Sequence, residues 1–156
     1  MKTLTPILGA TMLALTMAAL PAHAMTDTQC ADAFAKADTH KMGYLTEADG
    51  MRYYAVHRAM DKPVADGKLT REQFLISCKA DAYVMIDNKV DAGAPLPGSN
   101  SFTENQAKDR AIARGMTDVG KLTKDDKGVW RGTGMSDGKS ASVAIDYKGN
   151  VVITQS

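Results

Sequence analysis

The sequence predicts an α+β fold, in which a helical first half precedes one helix packed on an antiparallel sheet of three or four strands. Three observations predict it. In residues 25–89, apolar side chains recur at three- and four-residue steps, as they do along a helix. Residues 90–102 are rich in proline, glycine and serine and indicate a linker. Residues 103–156 combine one helical segment with short segments rich in β-branched residues.

Residues 1–24 have the features of a signal peptide. A lysine is followed by an apolar run over residues 7–20, and the segment ends in the tripeptide Ala-His-Ala, a small-x-small cleavage signature. The run is shorter than the ~20 apolar residues that a membrane helix needs. We therefore expect an exported protein, periplasmic or secreted, with no membrane span after cleavage.

Capping boxes predict where the helices of the first half begin. In such a box a threonine hydroxyl and a side-chain oxygen three residues later satisfy free backbone amides. Thr46 and Asp49 fit this pattern, and Thr70 and Gln73 fit it again further along the chain. A shorter helix is predicted from Thr28 to Ala37. The helix after Thr70 carries an apolar stripe made of Phe74, Cys78, Ala82 and Met85.

The chain has two cysteines, Cys30 and Cys78, and both lie in the first half. In an exported protein an even pair usually forms a disulfide, and two free buried cysteines are the alternative. Closing a loop of this length would stabilise the fold by roughly 4 kcal/mol in the chain-entropy model. Cys78 lies on the apolar stripe, so we expect it to face the core and to meet Cys30 there.

The second half begins with a further capping box, Thr103 with Gln106, and Gly115 is expected to end its helix. Three turn sequences follow, DDKG, SDGK and YKGN. They separate the short segments GVWRGTGM, SASVAIDY and NVVIT, and SVAIDY alternates apolar with small or polar residues as a half-buried strand does.

Charge and motif content favour neither nucleic-acid binding nor catalysis. The 19 basic and 18 acidic residues become balanced once the lysine of the signal peptide is removed. Nucleic acids and anionic lipids attract clustered positive charge, so we expect no nucleic-acid partner. The sequence contains no Gly-x-Ser-x-Gly elbow, His-Glu-x-x-His pair or phosphate-binding glycine loop. We therefore predict that the protein is not an enzyme.

Residues 38–49, DTHKMGYLTEAD, have the outline of a calcium-binding loop, with a carboxylate at each end and glycine at the sixth position. The motif Gly-x-Leu-Thr recurs 24 residues later, at Gly67. On these residues the first half resembles the short-period paired EF-hands of exported bacterial proteins. The resemblance implies that Leu45 and Leu69 pair in a short two-stranded ribbon.

The ligand positions of both loops depart from the EF-hand pattern. The first loop offers Asp38, the carbonyl of Tyr44, Thr46 and Asp49, but its third and fifth positions hold His40 and Met42. The candidate carboxylates of the second loop are Asp61 and Asp66. Two interpretations stay open: weak calcium binding, or a pair of loops that keeps the shape without the ion. A less favoured alternative is a copper site, because His40, Met42, Met51, His57 and Met60 supply imidazole and thioether groups.

The second half resembles a PepSY-type domain, which is a helix followed by a strand meander. The resemblance rests on TENQAKDRAIARGM, Val129-Trp130, and Val143, Ile145, Asp146 and Gly149 in the last hairpin. It implies a non-catalytic domain that makes inhibitory or regulatory contacts in the cell envelope. The sequence therefore predicts an exported binding or regulatory protein whose partner is an unidentified envelope protein.

Overall fold

A computed structural model describes residues 25–87 and 89–156, and the predicted signal peptide lies outside them. The fold is α+β, as predicted. The first half contains α1 (Asp27–Ala37), β1 (Tyr44–Leu45), α2 (Glu47–Ala59), a 3₁₀ turn (Ala65–Gly67), β2 (Leu69–Thr70), α3 (Arg71–Lys79) and α4 (Val84–Asp87). The second half contains α5 (Glu104–Ala113), β3 (Thr123–Lys124), β4 (Trp130–Ser136), β5 (Lys139–Ile145) and β6 (Val151–Gln155). Within the described ranges, no helix is long and apolar enough to cross a membrane.

Reciprocal capping boxes start the four longest helices. The predicted boxes at Thr46, Thr70 and Thr103 are all present. The first helix starts one residue earlier than predicted, at Asp27, because Thr26 forms a fourth box with Gln29. A box satisfies amides that a new helix leaves free, so these short helices have well-defined starts.

The predicted stripe after Thr70 does not lie on one helix. α3 ends at Lys79, and Asp81 adopts the left-handed conformation with φ of 56° before α4 restarts the helical path. A left-handed residue cannot continue a right-handed helix. Phe74 and Cys78 are buried as predicted, whereas the break brings Tyr83 into the core, where its ring lies 4.8 Å from that of Phe74.

A disulfide between Cys30 and Cys78 joins α1 to α3, with the two Cα atoms 5.9 Å apart. Both cysteines are fully buried, so the predicted pairing is confirmed. Beside it, the Phe34 and Phe74 rings meet edge to face at 5.3 Å. A disulfide of this kind fits a protein located outside the cytoplasm.

The second half is a four-stranded antiparallel sheet in the order β3-β4-β5-β6, with α5 packed on one face. Ala107 and Ala111 of the helix are fully buried against Val143 and Ile145 of the central strand β5. Small residues on α5 allow this close approach of helix and sheet. Residues 130–145 therefore form the centre of the sheet and of the second core.

The two halves are packed together, a point on which the sequence is silent. α2 lies along α5. Arg52 of α2 donates from Nε to the carbonyl oxygen of Ala113, at the end of α5, at 2.9 Å. Arg58, in the last turn of α2, contacts Asp109 of α5. Polar contacts from the middle and from the C-terminal turn of α2 thus fix its position on the second half.

Residues 90–102 contain no helix or strand, yet they are attached to the second half along their length. Asp146 is fully buried, and its carboxylate accepts hydrogen bonds from the backbone amides of Leu96, Lys148 and Asn150. Asn100 donates to the carbonyl oxygen of Ile145 at 3.3 Å. The segment is therefore an anchored connection rather than a free tether.

The connecting segment crosses the β3–β4 turn where two glycines meet. A Cβ atom on Gly128, whose φ is +77°, would collide with the carbonyl oxygen of Gly98. A Cβ atom on Gly98 would lie 2.6 Å from the Tyr147 ring. Glycine at both positions allows the backbones to approach this closely.

Candidate functional site

The predicted calcium-type loop, residues 38–49, is closed by its first carboxylate. Asp38 accepts hydrogen bonds from the backbone amides of Met42 and Gly43, each at 2.9 Å. Gly43 has φ of +75°, a conformation that favours glycine and lets the chain turn back toward Asp38. The loop therefore holds its turn with hydrogen bonds from its own backbone.

A short ribbon joins this loop to the second one. β1 and β2 are antiparallel, and Leu45 lies opposite Leu69, the pairing that the resemblance implies. The hydroxyl of Tyr54, on α2, donates to the carbonyl oxygen of Leu45 at 2.8 Å and accepts from the amide of Leu69 at 3.0 Å. Tyr54 thus fastens both loops to the helix between them, a role that no sequence pattern marks.

Protein groups already occupy the second carboxylate of the first loop. Asp49 accepts from the Thr46 hydroxyl at 2.6 Å, and its other oxygen lies 3.2 Å from Nδ1 of His40. The hydrogen bond from Thr46, with a smaller contribution from His40, lowers the pKa of Asp49. The third and twelfth positions, which a calcium loop uses as ligands, are here bonded to each other.

The remaining predicted ligand residues lie in the ribbon and in the second loop. Tyr44 pairs with Thr70 in the ribbon. Asp61 accepts from the side chain of Gln106 on α5 at 3.1 Å, and Asp66 is exposed in the 3₁₀ turn. Within residues 25–87 and 89–156, no group of three or more His, Cys, Asp or Glu side chains is placed to hold a metal ion.

The imidazole and thioether groups of the copper alternative lie in different environments. Both ring nitrogens of His57 have partners, the carbonyl oxygen of Lys62 at 3.2 Å and the hydroxyl of Tyr83 at 3.1 Å. Burial lowers the pKa of His57. The side chains of Met42, Met51 and Met60 are exposed. His57 therefore has a packing role in this structure, and copper binding stays a prediction.

Arg58 connects the first loop to the second half. Its guanidinium contacts Glu47, the residue next to the Thr46 cap, at 2.6 Å and Asp109 of α5 at 2.9 Å. The Asp109 side chain is only 13% exposed, and burial raises its pKa against the opposing effect of Arg58. One arginine thus links the end of the loop to the helix that packs on the sheet.

The face of the sheet opposite α5 is the second candidate site. It carries an open cleft of about 480 Å³ lined by small side chains and one proline. Thr133, Ser142 and Thr154 lie in register across three strands and form a row of hydroxyl groups. Arg131, at the rim, is held 2.7 Å from Asp125. This surface offers shape and hydroxyl groups and little net charge.

Comparisons with known proteins add no assignment: no family model, curated protein or solved structure matches this chain.

Proposed function

We propose that the protein is a non-catalytic binding or regulatory protein of the periplasm, with an EF-hand-like first half and a PepSY-like second half. Its partner would be another protein of the cell envelope. The observation that carries this proposal is the uncovered face of the sheet, since α5 packs on the opposite face. The disulfide between Cys30 and Cys78 supports a location outside the cytoplasm.

The proposed contact surface is the hydroxyl row with its cleft. Thr133 and Ser142 are exposed, while Ala144 beside them is buried beneath the surface, so a partner meets a shallow trough. Small side chains lose little conformational entropy when a partner covers them. Such a surface fits a broad, weakly charged protein contact better than a small-molecule pocket.

A non-catalytic role is supported by the protein partners of the four carboxylates whose pKa values are shifted. Burial raises the pKa of Asp109, but its carboxylate is held by Arg58. The pKa values of Asp49, Asp91 and Asp125 are lowered mainly by side-chain hydrogen bonds, from Thr46, Lys148 and Arg131 respectively. Groups fixed in this way serve as structural acceptors, whereas acid–base catalysis needs a pKa near the working pH.

Site-specific photo-cross-linking in cells tests the proposal. A photoreactive residue at Ser142, on the open face, should give an adduct with one envelope protein. The same residue at Glu72, exposed on α3, should not. Thr133→Arg should abolish the adduct by filling the trough, and Glu72→Arg should leave it unchanged. Equal adducts from the photoreactive residues at Ser142 and Glu72, or an adduct that persists in Thr133→Arg, would contradict the proposed surface.

Weak calcium binding is the second candidate function. Asp38 favours it, because its carboxylate already organises the loop through the amides of Met42 and Gly43. A calcium ion would have to displace His40 from Asp49, which is consistent with low affinity.

Thermal melting in chelator and in millimolar calcium tests this second function. Asp38→Asn is the variant, and Asp32→Asn, on the exposed side of α1, is its matched control. A calcium-dependent rise that Asp38→Asn removes and Asp32→Asn keeps would support binding, and no rise in the wild type would exclude it at that concentration.

A further inference from the structure

Strand β6 forms one edge of the sheet, next to β5 on one side only. The amide of Asp146 donates to the carbonyl oxygen of Asn150, and the amide of Ser156 donates to that of Ser140. These bonds show that the even-numbered residues of β6 direct their backbone groups toward β5. In an antiparallel ladder, the backbone N–H and C=O groups of the alternate residues point away from the paired strand.

The outward residues are therefore Val151, Ile153 and Gln155. Across the described part of the chain, no backbone hydrogen bond from outside the sheet reaches any of the three. The side chain of Ile153 is half-buried and extends the apolar core of the second half to this edge. An unpaired strand edge with an apolar side chain at its centre is a template for another strand.

The two edges of the sheet differ in how they are protected. The opposite edge, β3, is only two residues long; it contains Lys124 and follows shortly after Lys121, and lysines at an edge discourage pairing. β6 has five residues, VVITQ, and contains neither charge nor proline. β-Branched residues make up most of it and favour the extended conformation. The fold therefore leaves one edge available for strand addition.

We propose that β6 pairs with β6 of a second copy of this chain, antiparallel about a two-fold axis at Ile153. In that register Ile153 meets Ile153 of the other copy, and Val151 lies opposite Gln155. Each outward residue donates one backbone hydrogen bond and accepts one. The strand brings no like charges together, so it is complementary to itself. The two sheets become one, with both copies of α5 on the same face. This proposal does not depend on the proposed partner surface.

Sedimentation equilibrium of the oxidised protein, purified after export, tests the pairing over a range from about 1 μM to about 1 mM. Gln155→Pro removes an outward amide donor without removing a bond to β5, and Gln155→Ala is the matched control, since it loses the same side chain and keeps the amide. The wild type and Gln155→Ala should change from one copy to two with increasing concentration. Gln155→Pro should dissociate at least about tenfold more readily.

Amide hydrogen exchange gives a measurement that needs no variant. Exchange at Ile153 should slow as the wild-type concentration rises, while exchange at exposed amides far from β6 should not change. A single-copy mass over the whole range would overturn the proposal and leave the edge to an extended segment of another protein. Dimerisation that Gln155→Pro does not weaken, or that leaves exchange at Ile153 unchanged, would overturn it too.

Discussion

The contact between Arg58 and Asp109 gives the most specific prediction about how the two halves are held together. Arg58→Met keeps the length and the apolar stem of the side chain and removes its charge. It leaves the Asp109 carboxylate, 13% exposed, without the guanidinium that now lies 2.9 Å away. We expect this variant to unfold more easily than the wild type.

The size of the effect follows from the exposure of the two partners. Breaking a buried ion pair costs about 3–5 kcal/mol, whereas an exposed pair contributes at most about 1 kcal/mol. Asp109 is buried, but 35% of the Arg58 side chain is exposed, which places the pair between these limits. We expect a loss of about 2 kcal/mol, equivalent to a fall in Tm of roughly 6–10 °C.

The loss should depend on pH in a defined direction. Burial holds the pKa of Asp109 above its ordinary value, and removing Arg58 raises it further. A carboxyl whose folded pKa exceeds its unfolded pKa takes up its proton first in the native state as pH falls. The penalty of Arg58→Met should therefore be smaller at about pH 5 than at about pH 7.

Urea unfolding followed by circular dichroism measures these differences. The double-mutant cycle with Asp109→Asn should show a coupling of about 1–2 kcal/mol, because the two residues are in contact. Glu47→Gln removes the exposed ion pair between Glu47 and Arg58 and should lower the free energy of unfolding by no more than about 0.5 kcal/mol. A cost for Arg58→Met below about 0.5 kcal/mol, or strict additivity with Asp109→Asn, would refute the reasoning.

Three further outcomes are expected. His40→Asp combined with Met42→Asp supplies oxygen ligands at the third and fifth loop positions. Millimolar calcium, at one hundred times the Kd of this variant, should stabilise it by about 2.7 kcal/mol. A calorimetric Tm that does not change with calcium would contradict this. Cys30→Ser combined with Cys78→Ser should lower the free energy of unfolding by roughly 4 kcal/mol, and a urea midpoint near that of the wild type would be inconsistent with it. Asp146→Ala leaves buried backbone amides without an acceptor and should cost about 3 kcal/mol in thermal melting, whereas an unchanged Tm would show that water replaces the carboxylate.

The parts of the fold that the sequence predicts are those fixed by neighbouring residues. The capping boxes at Thr46, Thr70 and Thr103 are satisfied within one helical turn, so their sequence pattern is sufficient to place them. The disulfide between Cys30 and Cys78 is also confirmed, and it follows from the chemistry of exported proteins rather than from the local pattern.

The parts that the sequence does not predict depend on contacts between distant residues. Arg58 and Asp109 are 51 positions apart, and Leu96 and Asp146 are 50 apart. The break after Lys79 has a different origin, because the apolar spacing continues through Asp81 while the backbone there is left-handed. The spacing of apolar residues indicates which residues face the core, but it does not indicate whether they all lie on one continuous helix.

The candidate loop shows the same division. Its outline, from Asp38 to Asp49 with Gly43 between, is readable in the sequence and present in the structure. The bond between His40 and Asp49 is not readable, because it depends on how the closed loop orients two side chains. A list of ligand types therefore predicts the outline of such a loop but not the contacts that its side chains make with each other.

The crossing of Gly98 and Gly128 has a consequence for recognising relatives of this protein. Any side chain at Gly128 would collide with backbone, and one at Gly98 would collide with Tyr147. Selection should therefore preserve both glycines even where the surrounding turn drifts in length and composition. A distant sequence that keeps these two glycines, with an aromatic residue in its last hairpin, is expected to have the same backbone crossing even where its overall sequence identity to this chain is low.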